Sequence, residues 1–396
     1  MNTGKYVFSQ IVDFLPKMYF YRLLGLTIDR TMNWSYSYWI QLLTIMYGQL
    51  SGCASLRELE LVLRAHSGKS FHLGLGQKPA SLSVMSRANM LRDYKVFETL
   101  AVKMTQIAQS KLEKDTEFKM KGKFYAFDST TITMCLSLFN WANFKSTKSG
   151  IKIHTQIDIV TQIPVFLWIT NADVADVNAM DMIDYQPNAF YVFDRGYWDL
   201  KRLYNIELIK SRFVIREKGQ PDFTSEDDMD LLENGRVVRD MVVRFDGERN
   251  RANYPSQIRR IEYYVEELNR TFVYYTNDFY MDANNIALLY KNRWSVELFF
   301  KWIKQHLRVK VFWGNTENAV RIQIYTAIIT YCLVGIIKHE LKIKQSLNDT
   351  LRILGNSLLV KDELAALFRK PKLLNDDRNY GQLTIDFNPH CSHYLM

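Results

Sequence analysis

Cysteine is scarce in this chain: four residues in 396, at Cys53, Cys135, Cys332 and Cys391. None lies in a Cys-x-x-Cys pair or at a zinc-site spacing, and four are too few for a disulfide framework. A reducing, cytoplasmic setting is therefore expected, and Cys332, inside an apolar run, reads as a core residue. The opening segment MNTGKYVFSQIVDFLPK has no continuous apolar stretch, so no secretory signal is expected. The most apolar stretch, residues 322–337, is interrupted by Gln323, Thr326 and Thr330. It is shorter than the roughly 20 residues a membrane span requires. It reads as a buried helix, with no membrane partner. No long low-complexity tract is present and 23% of residues are charged, which argues against global disorder.

What is present is enough apolar residue for a large core, 47% of the chain, over a length that suggests two or three domains. Lys and Arg exceed Asp and Glu by 51 − 42 = 9. A basic surplus favours a polyanionic partner, although net charge bears on association rather than on fold. On composition alone, a nucleic-acid-binding protein and a merely basic enzyme fit equally well.

The first 115 residues read as helical. Ile11, Phe14 and Leu15 share a face of a short segment that Pro16 ends. Residues 39–50, WIQLLTIMYGQL, are apolar nearly all round, as in a core helix, and Gly52 breaks them. Ser55 and Glu58 form a Ser-x-x-Glu capping box that opens a helix running to about His66. Ser81 opens a further helical region to about Lys114, which carries Arg87, Arg92 and Lys95 beside apolar residues. Short helices with basic faces suit a DNA-binding module of helix-turn-helix type. A helical cap on a catalytic domain has the same texture.

Strand character begins at Lys123 with KFYAFDSTTITM and continues in residues 151–160, 164–170 and 189–193. Residues 171–183, NADVADVNAMDMI, read as helix. Residues 212–276 read as a β-rich insertion of roughly four strands: RFVIRE, RVVRDMVVRF, IRRIEYYVEE and RTFVYYT. The alternating Arg236, Arg239, Arg244, Arg259 and Arg260 of this region suit a solvated sheet face, or one that holds phosphates. Asp282 caps one long helix to about Leu307, a second runs from about Asn315 to Leu341, and DELAALFRK adds a last helical stretch. Strands in succession followed by helices point to an α/β fold with a mixed sheet.

Two acids have matching contexts. Asp128 follows Phe124-Tyr-Ala-Phe and Asp194 follows Phe190-Tyr-Val-Phe. A carboxylate beside such a run is costly to bury unless it is paired or bound to a cation. A third acid lies in the helix YKNRWSVELFFKWIK. At 3.6 residues per turn, Tyr290, Arg293, Glu297 and Lys304 fall within a wedge of about 60°, with Lys301 about 20° away. Leu298 and Trp302 flank the stripe, which leaves little of this helix for solvent. On these residues alone, a functional stripe and a solvated face with a Glu297–Lys301 pair, worth about 0.3 kcal/mol, stand level.

The pattern Tyr290-x2-Arg293-x3-Glu297-x6-Lys304 resembles the signature of the insertion-sequence-four family of DDE transposases. FDRGY around Asp194 and AFDST around Asp128 resemble that family's two aspartate motifs. The spacings fit as well: 194 − 128 = 66 and 297 − 194 = 103 residues, the second leaving room for the family's β-strand insertion. FSQIVDFLP and YGQLSGCASLRELE resemble the helical leader of one subgroup, so the likeness leaves out only the tail after about residue 342. It implies a ribonuclease-H-like catalytic core with a β-rich insertion, preceded by an all-helical N-terminal domain. The expected division is 1–115 as a helical DNA-binding domain, 116–211 and 277–342 as the catalytic core, 212–276 as the insertion and 343–396 as a helical tail. The implied activity is metal-dependent cleavage of transposon ends and strand transfer into target DNA, cut-and-paste. The alternatives are a nuclease of the same fold, or a DNA-binding protein without catalysis.

Phosphodiester attack is served by two divalent cations, Mg²⁺ or Mn²⁺, held by carboxylates. On the resemblance, Asp128, Asp194 and Glu297 are the catalytic, metal-holding acids, and Tyr290, Arg293 and Lys304 contact DNA. The implied partner is double-stranded DNA, both the element's terminal inverted repeats and the target, bound by a homodimer in a bacterial, nucleoid-associated setting. His154 and His306 then read as packing or phosphate-contacting residues. Lys145, Lys148, Lys152 and His154 beside Trp141 and Phe144 suit either a DNA-gripping loop or a solvated one. Trp198 reads as core, or as a stacking partner for an unpaired base.

Overall fold

Alternation along β-strands and apolar faces along helices divide the described residues into one large sheet and the helices that cover it. The computed structural model describes residues 4–27, 36–112, 122–145, 148–229, 236–306 and 311–369. The expected boundary at 115 and the tail from 370 to 396, with Cys391, lie outside the described residues. So do the side chains of Lys145, Lys148, Phe144 and His306.

Up to Lys111 every regular element among the described residues is helical: α1 (Val7–Val12), α2 (Lys17–Thr27), α3 (Tyr38–Leu50), α4 (Leu56–Ala65), α5 (Leu82–Leu91) and α6 (Lys95–Lys111). Local chemistry starts them where the residues dictate. Ser37, Ser55 and Ser81 cap α3, α4 and α5 by accepting from the N–H three residues on. Glu58 reaches back to the N–H of Ala54. The region expected as one helix from Ser81 divides at Arg92, whose extended backbone ends α5. Arg92 is also not on a basic surface. It is buried, donates to Gln41 Oε1 at 2.9 Å and to the Tyr36 carbonyl, and lies over the Tyr38 ring.

The sheet follows: β1 (Lys123–Met134), β2 (Asn143–Lys145), β3 (Lys148–Asp158), β4 (Pro164–Asn171) and β5 (Ala189–Phe193), then α7 (Leu200–Leu208), β6 (Arg212–Arg216), β7 (Phe223–Asp228), β8 (Val237–Phe245), α8 (Glu248–Asn253), β9 (Ile258–Val265) and β10 (Arg270–Thr276). The ten strands among the described residues form one sheet in the order β2-β3-β1-β5-β6-β10-β9-β8-β7, with β4 also on β3. β1 is antiparallel to β3 and parallel to β5, and β5 is parallel to β6. The strands expected as an insertion thus extend the same sheet, β6 parallel to β5 and the others through antiparallel pairs. They number five, because β7, FTSEDD, is an exposed polar edge strand with none of the alternation that marks a strand in sequence. Residues 176–182 form a 3-10 turn in place of the expected helix.

Beyond the sheet come α9 (Ala283–Asn292), α10 (Trp294–His306), α11 (Glu317–Glu340) and α12 (Leu347–Ser357). Residues 364–368, expected as helix, close the described chain as a 3-10 turn. The helix expected from Asp282 to Leu307 is broken at Arg293. There the N–H of Arg293 bonds the Tyr290 carbonyl and that of Val296 bonds the Arg293 carbonyl, both at 3.1 Å, a three-residue tightening of the helix. α11 is apolar and long enough to cross a membrane, but 94% of its apolar window is buried against the protein's own elements. Two of its polar interruptions are satisfied inside: Gln323 accepts from the Trp313 N–H and Thr330 donates to the Thr326 carbonyl.

Side chains from α1–α6, α9–α12 and one sheet face form a single core, while α7 and the other face enclose a second. Strand residues divide strictly between them: Phe124, Ala126, Phe190, Val192 and Val214 enter the first, Tyr125, Phe127, Tyr191, Phe193 and Ile215 the second. β5 is buried along its whole length, which accounts for its unbroken apolar run.

One contact in the first core leaves no room for change. A Cβ on Gly355 of α12 would overlap the carbonyl oxygen of Leu50 at the end of α3. Gly355→Ala is expected to destabilise the protein by about 1–3 kcal/mol. Gly25→Ala in α2, where nothing lies near the added methyl, is expected to stabilise it by up to about 1 kcal/mol. Denaturant titration of both variants checks the contrast.

Candidate active site

The parallel strands place the site. Pairing of β1 with β5 ends at Phe127–Phe193, and pairing of β5 with β6 ends at Phe193–Ile215. The next residues are Asp128, Asp194 and Arg216. By strand alternation their side chains leave on the face of Ala126, Val192 and Val214, the face under α9 and α10. Neighbouring strands lie about 4.8 Å apart, so two carboxylates and a guanidinium are set side by side at the carboxyl end of parallel strands. Asp194 directly follows its strand. Asp128 lies inside its own: β1 continues to Met134, paired with β3 alone, with Asp128 opposite Thr155.

The break at Arg293 sends α9 over β5 and β6 and α10 over β1 and β3. Tyr290, before the break, donates its hydroxyl to Asp194 Oδ1 at 3.0 Å. Arg293 itself forks: Nη1 donates to Asp128 Oδ2 and Nη2 to Glu297 Oε1, each at 2.7 Å. Arg216 Nη2 lies 3.0 Å from Asp194 Oδ1. Lys304 donates to the Thr130 hydroxyl and, at 3.2 Å, to the Thr131 carbonyl. The six residues singled out in the sequence therefore meet on one face. Glu297 pairs back to Arg293 instead of forward to Lys301, and Lys301 is exposed at the rim. The flank of α10 that carries Leu298 is more open than expected, with Trp294 57% and Leu298 50% exposed.

Charge and burial set the protonation of this cluster. Burial pushes the Asp128 carboxyl up to about 6; the Arg293 charge and the Ser129 N–H pull it back in part, and Glu297 and Asp194 add to the rise. Burial acts on Asp194 too, but the Arg195 N–H, Arg216, Tyr290 and Arg293 outweigh it and hold that carboxyl below its ordinary range. Burial opposes the charge of Arg293; Tyr290, Asp128, Glu297 and Asp194 overcome it and raise its pKa.

Two cavities flank Arg293. One, of about 420 Å³, is bordered by Asp128, Glu297, Lys301 and Lys304. The other, of about 470 Å³, lies between α9 and the β9–β10 hairpin, with Tyr263, Phe272, Tyr274 and Trp294 in its wall. Among the described residues no three acidic, histidine or cysteine side chains stand close enough together to hold a metal ion directly. The acids meet through the guanidinium, a single positive charge on which two carboxylates converge. The donor set, all carboxylate oxygen, fits a hard divalent cation, given withdrawal of Arg293 from between Asp128 and Glu297.

Other expectations resolve differently. The arginines of the sheet extension do not form a free basic face, since each has an acidic neighbour: Arg236 with Glu266, Arg239 with Asp228, Arg244 with Glu226, Arg259 with Asp240 and Arg260 with Glu262. Lys152 and His154 belong to a buried strand instead of a loop. Trp198 packs edge-on against Tyr275 and Phe245, as a core residue does. The residue missed in the sequence is Arg216. Its signal was there: RFVIR repeats the pattern of FYAFD and FYVFD, an apolar run closed by a charge.

Residues 119–333 match the family described as Transposase DDE domain, and residues 3–76 match a domain of unknown function, DUF4372. A Sinorhizobium fredii protein bearing a transposase name is 30% identical over 81% of this chain and 88% of its own length. A Geobacillus stearothermophilus protein, named as the transposase of an insertion sequence element, is 26% identical over 73% of this chain and 78% of its own. A solved structure, the piggyBac transposase synaptic complex with hairpin DNA, aligns at a TM-score of 0.44 and 12% identity over 93% of this chain and 81% of that one.

Removing Arg293 leaves Asp128 and Glu297 facing each other. Their side chains are 21% and 33% exposed, so Arg293→Gln is expected to cost about 2–3 kcal/mol in chelator, less than a fully buried pair. Adding Asp128→Asn should return part of that loss, since it removes one stranded charge. Urea denaturation of the two single variants and the double variant in EDTA measures the coupling.

Proposed function

The chain belongs to the Transposase DDE domain family, and on that premise we propose that Asp128, Asp194 and Glu297 are its catalytic acids and its metal ligands. It is a DNA transposase, an enzyme of the DDE polynucleotidyl-transferase type, and that chemistry depends on divalent metal. Within the family we place it in the insertion-sequence-four group, on the strength of Tyr290, Arg293, Glu297 and Lys304 at their spacing. The run β4-β3-β1-β5-β6, with β1 antiparallel to β3 and parallel to β5, supports reading the core as ribonuclease-H-like.

The observation that carries the reading is the Arg293 fork, because it joins the first strand acid to the helix acid across 297 − 128 = 169 residues of sequence. The three acids would hold Mg²⁺ or Mn²⁺, two ions. The metal supplies Lewis-acid stabilisation of the entering and leaving oxygens when bound. In the reaction a water cleaves the phosphodiester at the element end, and the freed 3′-hydroxyl then attacks target DNA. Tyr290, Arg293 and Lys304 occupy the acids and the neighbouring threonines in the free protein. Each is an N–H or O–H donor of the kind that binds phosphate, so DNA exchanges one anionic partner for another. We assign them to the phosphates flanking the scissile bond. Two element ends are joined in one event, so a homodimer on the inverted repeats is the assembly proposed.

Asp128→Asn, Asp194→Asn and Glu297→Gln are each expected to lower cleavage of labelled element ends by about 10³-fold or more, a barrier change of about 4 kcal/mol. DNA-end binding should persist. Cleavage surviving at near wild-type rate in any one of them would remove that acid from the site. Wild-type reactions should yield element ends joined to target DNA, a product that a simple nuclease does not make. Lys304→Gln should reduce the slope of log affinity against log salt by about one unit, the effect of neutralising one phosphate fewer. An unchanged slope, read by fluorescence anisotropy across a salt series, would place Lys304 away from DNA.

A further inference from the structure

The sheet face opposite Asp128 carries a polar cluster to which strand transfer gives no part. Asp128 and Ser129 are consecutive in β1, so their side chains leave on opposite faces. The Ser129 N–H donates to Asp128 Oδ1 at 2.8 Å, and the Ser129 hydroxyl donates to Asp176 Oδ1 at 2.6 Å. Lys152 Nζ lies 3.1 Å from the same oxygen and also donates to the Val174 carbonyl at 2.7 Å. Beneath them His154 is wholly buried, with Nε2 paired to the Thr170 hydroxyl at 3.0 Å and its ring against Trp168. Ser129 is therefore tied at its backbone to one acid and at its side chain to another.

The location gives the tie its meaning. β1 loses β5 as a partner after Phe127, and from Asp128 onward only β3 is hydrogen-bonded to it. The Asp128 carboxylate thus projects from a strand paired on one side only. The 3-10 turn Asp176–Met182 supplies the missing restraint from the other face. We propose that Asp176 is a positioning residue for Asp128, acting through the Ser129 hydroxyl and itself fixed by Lys152. The proposal rests on Asp128 being a metal ligand. Partners that orient a ligating carboxylate from behind are worth about 10–100-fold in metal affinity or activity when removed.

The test uses the full chain. Mn²⁺ binding is followed by electron paramagnetic resonance without DNA, and cleavage is followed with element-end DNA. Asp176→Ala and Ser129→Ala should each weaken Mn²⁺ binding about 10-fold and lower kcat about 10–100-fold, with KM for DNA unchanged. The double variant should be no worse than either single one, because both break one bond. Asp176→Asn, which keeps an acceptor for the Ser129 hydroxyl, should recover most of the loss. If Asp176→Ala does not fold, Ser129→Ala and Asp176→Asn carry the comparison. Wild-type Mn²⁺ affinity and kcat in Ser129→Ala, or losses that multiply in the double variant, overturn the proposal. Absence of Mn²⁺ binding in the wild type both without and with element-end DNA is a different failure, since it overturns the assignment of Asp128 as a ligand.

Discussion

The guanidinium of Arg293 lies between Asp128 and Glu297, with Asp194 close enough to act on Asp128 and on the guanidinium. Two like charges 4 Å apart repel by about 4 kcal/mol at an effective dielectric constant of 20. A fold that gathers three carboxylates therefore needs positive charge in place before any ligand arrives. Arg293 supplies it to two acids, and Arg216 with the Tyr290 hydroxyl serves the third. Uneven burial and unequal partners leave Asp128 raised and Asp194 lowered, although the two strands are neighbours.

The sheet solves the placement problem and the helix break solves the aiming problem. In-register parallel pairing fixes Asp128, Asp194 and Arg216 along a line with no help from loops. A straight helix across that line would present Tyr290 and Glu297 in a fixed relation set by its pitch alone. The tightened turn at Arg293 separates α9, over β5 and β6, from α10, over β1 and β3. Each half then reaches a different strand, and the residue at the joint bridges the acids on either side. The sheet extension is anchored to the same region: Arg259, buried with Asp240, also donates to the Met281 carbonyl just before α9 begins.

Much of this was legible in the sequence because it rests on local rules. The strand at residues 189–193 shows as an unbroken apolar run, the Ser-x-x-Glu box marks α4, and the all-round apolar stretch around Thr326 marks α11. Repetition of FYAFD and FYVFD pointed to two acids in like settings, and helical spacing grouped Tyr290, Arg293, Glu297 and Lys304. What stayed hidden depends on contacts between distant segments. Nothing local distinguishes Arg92, buried beneath Tyr36 and Tyr38, from the exposed Arg87. No pattern in FTSEDD announces a strand, because only β8 holds it. The break at Arg293 has no glycine or proline to signal it. The role of Arg216 depends on which strand lies beside Asp194, and that is a fact of topology.

The arrangement also constrains the order of events at the site. The guanidinium holds Asp128 and Glu297 only while both are anionic and nothing else competes for them. A divalent cation held by those acids would displace it, and a displaced arginine left unpaired in a half-buried cleft costs free energy. A DNA phosphate gives it a new partner. Conversely, a phosphate that draws Arg293 away leaves two carboxylates unneutralised until a cation replaces it. Each ligand therefore removes the penalty of binding the other, which is positive coupling in both directions by linkage. With Asp128 and Glu297 holding metal as proposed, the bridging arginine would make metal and DNA binding mutually dependent, and a neutral side chain at 293 would uncouple them even where each still binds.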